Sequence, residues 1–179
     1  PYPEKWLRAA AESWRQLPSS LADSDYGRTV MEDTVRRALF WAGQLERAVA
    51  AMEDCEPVYK ANAAQFLAAA AELRRYEQAS QEGWDAMGRV QPVLQRAGAV
   101  KNGENDEAKA AAKAVREKYK KAKEEMTAPY LVTEREHLED LQAAAPSMLA
   151  LLRLTERFSQ RYQAEKVRRN AMDLSLIHI

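Results

Sequence analysis

The stretch that decides the fold class runs from Arg28 to Met52 and reads RTVMEDTVRRALFWAGQLERAVAAM. Its apolar residues recur at the spacing of one face of an α-helix and do not alternate as they would in a half-buried strand. The residues on this face are Val30, Val35, Leu39, Ala42, Leu45 and Val49, with Phe40 and Trp41 broadening it. We therefore expect one long amphipathic helix here.

The same periodicity continues along most of the chain. Further helices are expected at 3–18, 57–79, 84–90 and 105–126 and from Thr133 onward, where Pro146 either kinks the helix or begins a new one. No segment alternates with period two, and the sequence is rich in alanine with only 6 Gly and 7 Pro. The prediction is an all-α fold, an elongated bundle of about five to seven helices with no sheet.

Local signals support these helices and their buried faces. Thr133 and Glu136 have the spacing of a capping box, and Asn105 or Asp106 can cap the helix that follows. Three further apolar stripes are predicted. They comprise Trp6, Ala10 and Trp14 with Leu7 and Leu17 beside them; Tyr59, Ala63, Phe66, Leu67, Ala70 and Leu73; and Leu151, Leu154, Phe158 and Tyr162.

Composition and motifs exclude several kinds of site. The formal net charge is zero, Cys55 is the single cysteine, and no apolar run approaches the roughly 20 residues of a membrane span. The lone thiol cannot form an internal disulfide and fits a reducing cytosol without proving it. Glu134 and His137 form one Glu-x-x-His element without a second copy, so we interpret His137 as a solvated helix residue. No Gly-rich phosphate loop is present.

The most polarised feature is KAAAKAVREKYKKAKEE, from Lys109 to Glu125. Lys109, Lys113, Arg116 and Lys120 follow one another at spacings of four, three and four, so they share a helical face. Such a row can contact a phosphate backbone without reading bases. A solvated helix face explains the same pattern, and the two interpretations stay open.

Three stretches resemble a helical segment of the AddA subunit of bacterial ATP-dependent helicase–nucleases, a UvrD-like family. They are PYPEKWL at the start, AVREKYKKAKEEM from Ala114, and RFSQRYQAEKVRRNAMD, the exit, with Phe158, Tyr162, Lys166 and Asp173. After Asp173 the family continues Phe-x-Asp-Leu, whereas this chain has Leu174 and no second Asp. The resemblance implies that residues 1–173 are the helical 1B subdomain of a larger motor protein.

The resemblance also implies a function. The parent would unwind DNA 3′ to 5′ and process double-strand breaks for recombinational repair in the bacterial cytoplasm, with an AddB-type partner subunit, and its ATP and Mg²⁺ would bind in motor lobes outside this sequence. This piece would be a non-catalytic arm whose DNA contacts are Lys113, Arg116, Lys118, Lys120 and Lys121. Trp84 and Tyr119 could stack on bases or lie in the core. The alternative is a helical protein-interaction scaffold without DNA binding.

The two ends of the chain look unlike natural termini. The sequence starts on Pro1 without an initiator Met, which suggests a start within a gene. The final LSLIHI, residues 174–179, looks like the translation of a sequencing-library adapter. We therefore expect a non-native tail there, no ligand role for His178, and a natural protein that continues past Asp173.

Overall fold

A computed structural model describes residues 3–100 and 105–169 of the chain. Within them lie six α-helices and no strand, which confirms the all-α prediction and the expected number of helices. The helices are α1 (Pro3–Arg15), α2 (Asp25–Ala50), α3 (Glu56–Glu82), α4 (Trp84–Arg89), α5 (Asp106–Thr127) and α6 (Glu134–Arg168), with 3₁₀ turns at Leu21–Asp23 and Ala128–Leu131. None of the described helices combines the length and the apolar character needed to cross a membrane.

The described residues fall into two compact units. Residues 3–18 and 138–169 belong to the first unit, and Ser19–His137 to the second. The predicted tail at 174–179, His178 and Asp173 of the exit motif lie outside the described residues.

Helix α2 begins three residues earlier than predicted because Ser24 caps it. The Ser24 hydroxyl accepts a hydrogen bond from Gly27 N at 2.9 Å and donates one to Leu21 O at 2.7 Å. Gly27 lies so close to the 3₁₀ turn that an added Cβ would lie 2.0 Å from Leu21 O. A serine cap and a residue without a side chain thus fix the entry to α2.

The core of the second unit is the packing of α2 against α3, joined by α4 and α5. Its largest fully buried side chains include Trp84, Tyr76, Tyr119, Phe66, Leu45, Leu73, Met87 and Met126. The predicted faces of α2 and α3 are correct in part. Ala42, Leu45 and Val49 are buried, but Phe40 and Leu67 are exposed, while Met31, Thr34 and Ala38 complete the buried face of α2.

Residues 90–100, which follow α4, form neither helix nor strand and are held against α3 and α5. Tyr119 donates a hydrogen bond from Oη to Pro92 O at 2.8 Å, and Gly98 N donates to Ala61 O at 3.0 Å. A Cβ at Gly98 would lie 3.3 Å from the Cα of Ala61, so the segment runs close against α3. We call residues 90–100 the strap.

The start of α6 confirms the predicted capping box. Thr133 N donates to a Glu136 carboxylate oxygen at 2.9 Å, and Glu136 N donates to the Thr133 hydroxyl at 3.3 Å. The hydrogen bonds from Thr133 lower the pKa of Glu136. The carboxylate of Glu134 accepts from Leu21 N at 2.6 Å and Ser20 Oγ at 2.8 Å. Asn105 occupies the predicted N-cap position of α5, but its side chain makes no capping hydrogen bond.

In the first unit α6 is one helix that continues through Pro146, so Pro146 does not begin a new helix. In the described part of the first unit, the buried apolar residues are Leu7 of α1 and Ala145 and Leu152 of α6. The predicted stripes are shifted from the buried faces, because Trp6 is 65% exposed and Leu151, Leu154, Phe158 and Tyr162 are all exposed. On α1 the buried residue is Leu7, which the pattern placed beside the stripe, and on α6 it is Leu152, the neighbour of a predicted stripe residue.

Candidate nucleic-acid interface

The buried side of α5 determines which of its basic residues face solvent. Ala112, Tyr119, Ala122 and Met126 are buried against the second unit. At 3.6 residues per turn these four positions lie on one side of the helix. The opposite side carries Lys113, Lys120 and Lys121, and we call these three residues the lysine ridge.

All three side chains of the lysine ridge are exposed. Within the described residues none of them forms an ion pair with an acidic side chain. Lys113 and Lys120 are seven residues apart, which places them about 10 Å apart along the helix axis. Lys118 is also exposed but lies further around the helix. Glu117 and Glu124 lie between the ridge lysines on the same side, so the local charge is only moderately positive.

Arg116 is tied into the protein interior, although it shares the predicted row with Lys113 and Lys120. Its Nε donates to Asn62 Oδ1 at 2.9 Å and its Nη1 donates to Gln95 O at 2.7 Å. The guanidinium also lies over the ring of Phe66, at 5.1 Å from the ring centroid. Burial lowers the pKa of Arg116. Sequence reasoning missed this role, and the one signal was Asn62, a polar residue within the apolar face of α3.

The two aromatic residues considered for base stacking are core residues. Trp84 and Tyr119 are each 1% exposed. Trp84 donates from Nε1 to Val132 O at 3.1 Å, and its ring centroid lies 4.7 Å from that of Tyr130. The structure therefore favours a core position, and not base stacking, for both residues.

His137 is half-buried and packs against Trp84, which corrects its interpretation as a solvated helix residue. Its ring meets Trp84 edge to face with centroids 5.2 Å apart, and Nε2 lies 3.4 Å from Pro129 O. In the described part of the chain no group of three or more His, Cys, Asp or Glu side chains has the arrangement of a metal site.

No family model, curated protein or solved structure matches this chain.

The exit-motif residues of α6 form an exposed aromatic cluster. Phe158 is 67% and Tyr162 48% exposed. Their rings are nearly parallel, with centroids 6.0 Å apart and an interplanar angle of 15°. Lys166 Nζ lies 5.5 Å from the Tyr162 centroid, which adds a cation–π contact. We call Phe158 and Tyr162 the aromatic pair.

A groove beside α2 in the second unit has a volume of about 630 Å³. The groove is lined by the apolar side chains of Met31, Val35 and Leu39 and by those of Arg28 and Arg36. The groove therefore offers apolar surface to a partner.

Proposed function

We propose that this chain is a non-catalytic DNA-contacting arm of an ATP-dependent 3′–5′ DNA helicase/nuclease subunit of the AddA type. The observation that carries the DNA role is the lysine ridge, three exposed ammonium groups without acidic partners in the described residues. The resemblance of three stretches supplies the parent protein and its role in double-strand break processing. The partners are then DNA, an AddB-type subunit and the motor lobes of the parent.

The chemistry of the lysine ridge suits such an arm. An ammonium group binds a phosphate as a point charge and does not discriminate between bases. A motor must step through any sequence, so contacts to the backbone alone fit its task. ATP and Mg²⁺ belong to the motor lobes of the parent in this proposal, and the arm holds duplex or forked DNA near them.

The test neutralises the lysine ridge with Lys113→Gln, Lys120→Gln and Lys121→Gln together. Glutamine keeps the helix propensity and a flexible polar side chain while removing three charges. At about 50 mM salt we expect weak binding of a forked duplex by the unaltered chain and a clear loss in the triple variant. The slope of log affinity against log salt should become shallower by about one for each lost phosphate contact. Arg116 is left unchanged because it supports the fold.

A matched control removes three basic charges elsewhere, with Lys5→Gln, Arg47→Gln and Lys60→Gln. These side chains are exposed and lie on α1, α2 and α3. The control has the same net charge as the triple variant, so a loss of affinity in both would mean that only total charge matters. Equal affinity of the triple variant and the unaltered chain would rule out the ridge as the DNA contact.

The second candidate function is a helical scaffold that docks a protein partner without binding DNA. The apolar groove of Met31, Val35 and Leu39 favours it. Under this function, Lys113→Gln, Lys120→Gln and Lys121→Gln change no binding property. Leu39→Glu would instead abolish assembly with the AddB-type subunit, measured by sedimentation of the two purified proteins.

A further inference from the structure

The aromatic pair on α6 lies on a helical side that is both exposed and basic. Arg157 directly precedes Phe158 in the sequence, and Arg161 follows it by three residues. Both arginines are exposed. In the described residues neither arginine forms an ion pair, whereas the nearby Glu165 is paired with Arg168 and Arg169 at 2.6 Å each. The charges close to the aromatic pair are therefore predominantly positive.

This combination of groups matches the chemistry of a single-stranded nucleic acid. Aromatic side chains provide stacking surfaces for bases, and arginines beside them bind the phosphates that connect those bases. In a duplex the bases are already stacked on one another, so an exposed ring gains contact only where the strand is unpaired. The exposed Leu151 and Leu154 continue the same stripe, and aromatic and arginine side chains are also enriched in protein–protein interfaces. A protein-docking face is therefore the alternative that the experiment distinguishes.

We propose that Phe158 and Tyr162 form a stacking site for the bases of single-stranded DNA, with Arg157 and Arg161 as its phosphate contacts. The inference rests on the proposed function in that it takes DNA as the ligand, and it adds the unpaired strand as the form that α6 recognises. The stacking site lies in the first unit and the lysine ridge in the second. The two sites use different chemistry, base faces in one and phosphates in the other, so they can be measured separately.

The experiment compares two fluorescein-labelled probes with the full chain by fluorescence anisotropy. One is an oligothymidylate of about 20 nucleotides, and the other has the same phosphates but abasic residues throughout. We expect the oligothymidylate to bind about tenfold more tightly than the abasic probe, because each stacked base adds affinity. Phe158→Leu with Tyr162→Leu should abolish this preference and leave the affinity for the abasic probe unchanged. Leucine retains helix propensity and apolar area but has no ring face.

Val167→Ala is the matched control, since Val167 is a 76% exposed apolar residue on another side of the same helix. It should leave the preference intact. Arg157→Gln with Arg161→Gln should weaken binding of both probes, and this variant keeps the aromatic pair for the case in which the leucine variant loses helicity by circular dichroism.

The outcomes separate the two proposals. Equal binding of both probes by the unaltered chain overturns the stacking site but leaves the lysine ridge standing. Binding of oligothymidylate alone, with none of the abasic probe, supports the stacking site and shows that phosphates alone do not hold a single strand. A preference that survives in a folded leucine variant places base recognition elsewhere, and the aromatic pair is then a protein-docking surface. No binding of either single-stranded probe overturns the stacking site, and the lysine ridge is tested separately by the forked duplex.

Discussion

Arg116 Nε donates a hydrogen bond of 2.9 Å to Oδ1 of Asn62, which joins α5 to α3. Asn62 is buried, and its Nδ2 donates to Val58 O at 2.9 Å, so its amide is oriented by its own helix. Arg116 also reaches Gln95 O in the strap. A residue that the sequence groups with a solvent-facing basic row thus links three parts of the second unit.

Arg116→Lys should destabilise the protein. The planar guanidinium of Arg116 donates to Asn62 and Gln95 from two separate nitrogens, which the single ammonium of lysine cannot reproduce. The buried Asn62 oxygen would then lose its hydrogen-bond partner. We expect a loss of about 1–3 kcal/mol in the free energy of unfolding, measured by urea denaturation. Lys113→Arg, an exposed exchange on the same helix, should change it by less than about 0.5 kcal/mol. Equal midpoints for the two variants would contradict the structural role of Arg116.

Removing two buried tyrosine hydroxyls should have opposite effects. Tyr76 Oη is buried and has no hydrogen-bond partner, so Tyr76→Phe removes an unsatisfied polar atom and should leave stability unchanged or raise it by up to about 1 kcal/mol. Tyr119 Oη donates to Pro92 O at 2.8 Å. Tyr119→Phe should therefore lower stability by about 0.5–1.5 kcal/mol. Thermal unfolding of the two variants side by side checks the difference, and the reverse order would refute the assignment.

Alkaline pH should unfold the second unit through its buried tyrosines. Burial raises the pKa of Tyr76 to about 12 and that of Tyr130 to about 12, and it also raises the pKa of Tyr119. A folded-state pKa above the unfolded value of about 10 means that the stabilisation is complete below pH 10 and is lost as the pH rises toward 12.

The alkaline prediction is measured by urea denaturation at pH 9 and pH 11.5, together with tyrosinate absorbance. The free energy of unfolding should fall between these two values, and the buried tyrosines should ionise together with unfolding. Tyr76→Phe should reduce the fall, because one group with a raised pKa is removed. A free energy of unfolding that stays constant over this interval would show that the three hydroxyls titrate as they do in the unfolded chain.

Alanine should have opposite effects at two glycines of α2. At Gly27 an added Cβ would lie 2.0 Å from Leu21 O and 2.6 Å from Leu21 C, both backbone atoms that cannot move without breaking the Ser24 cap. We expect Gly27→Ala to cost about 2–3 kcal/mol of stability. At Gly43 the nearest atoms are the Arg47 guanidinium nitrogens, at 3.9 Å and beyond.

Gly43→Ala should accordingly stabilise the protein by about 0.5–1 kcal/mol, because alanine loses less backbone entropy in a helix. Both variants can be compared in one thermal denaturation series. Similar losses at the two positions would mean that the approach of α2 to the 3₁₀ turn is looser than the structure describes.

The sequence by itself predicted the helices well, because helix signals are local. Few breakers and an apolar period of 3.6 residues predicted α2 and α3, and the bounds of α4 and α5 agree with prediction within one residue. The Thr133 and Glu136 capping box was predicted for the same reason, since both partners belong to one turn. Ser24 was overlooked as a cap because it lies in a polar connector with several other serines and aspartates.

Only the tertiary structure decided what each helical face contacts. The periodicity that predicts an apolar stripe contains no information about whether a neighbour covers it, so Leu45 is buried while Phe158, on an equally regular stripe, is 67% exposed. The three basic residues Lys113, Arg116 and Lys120, which share one helical face in the sequence, also differ in their contacts. Arg116 meets Asn62 and the strap from distant parts of the sequence, whereas the two lysines face solvent. The spacing of residues along a helix determines which way each side chain points. Whether that side chain is buried depends on which other parts of the chain pack against that side of the helix.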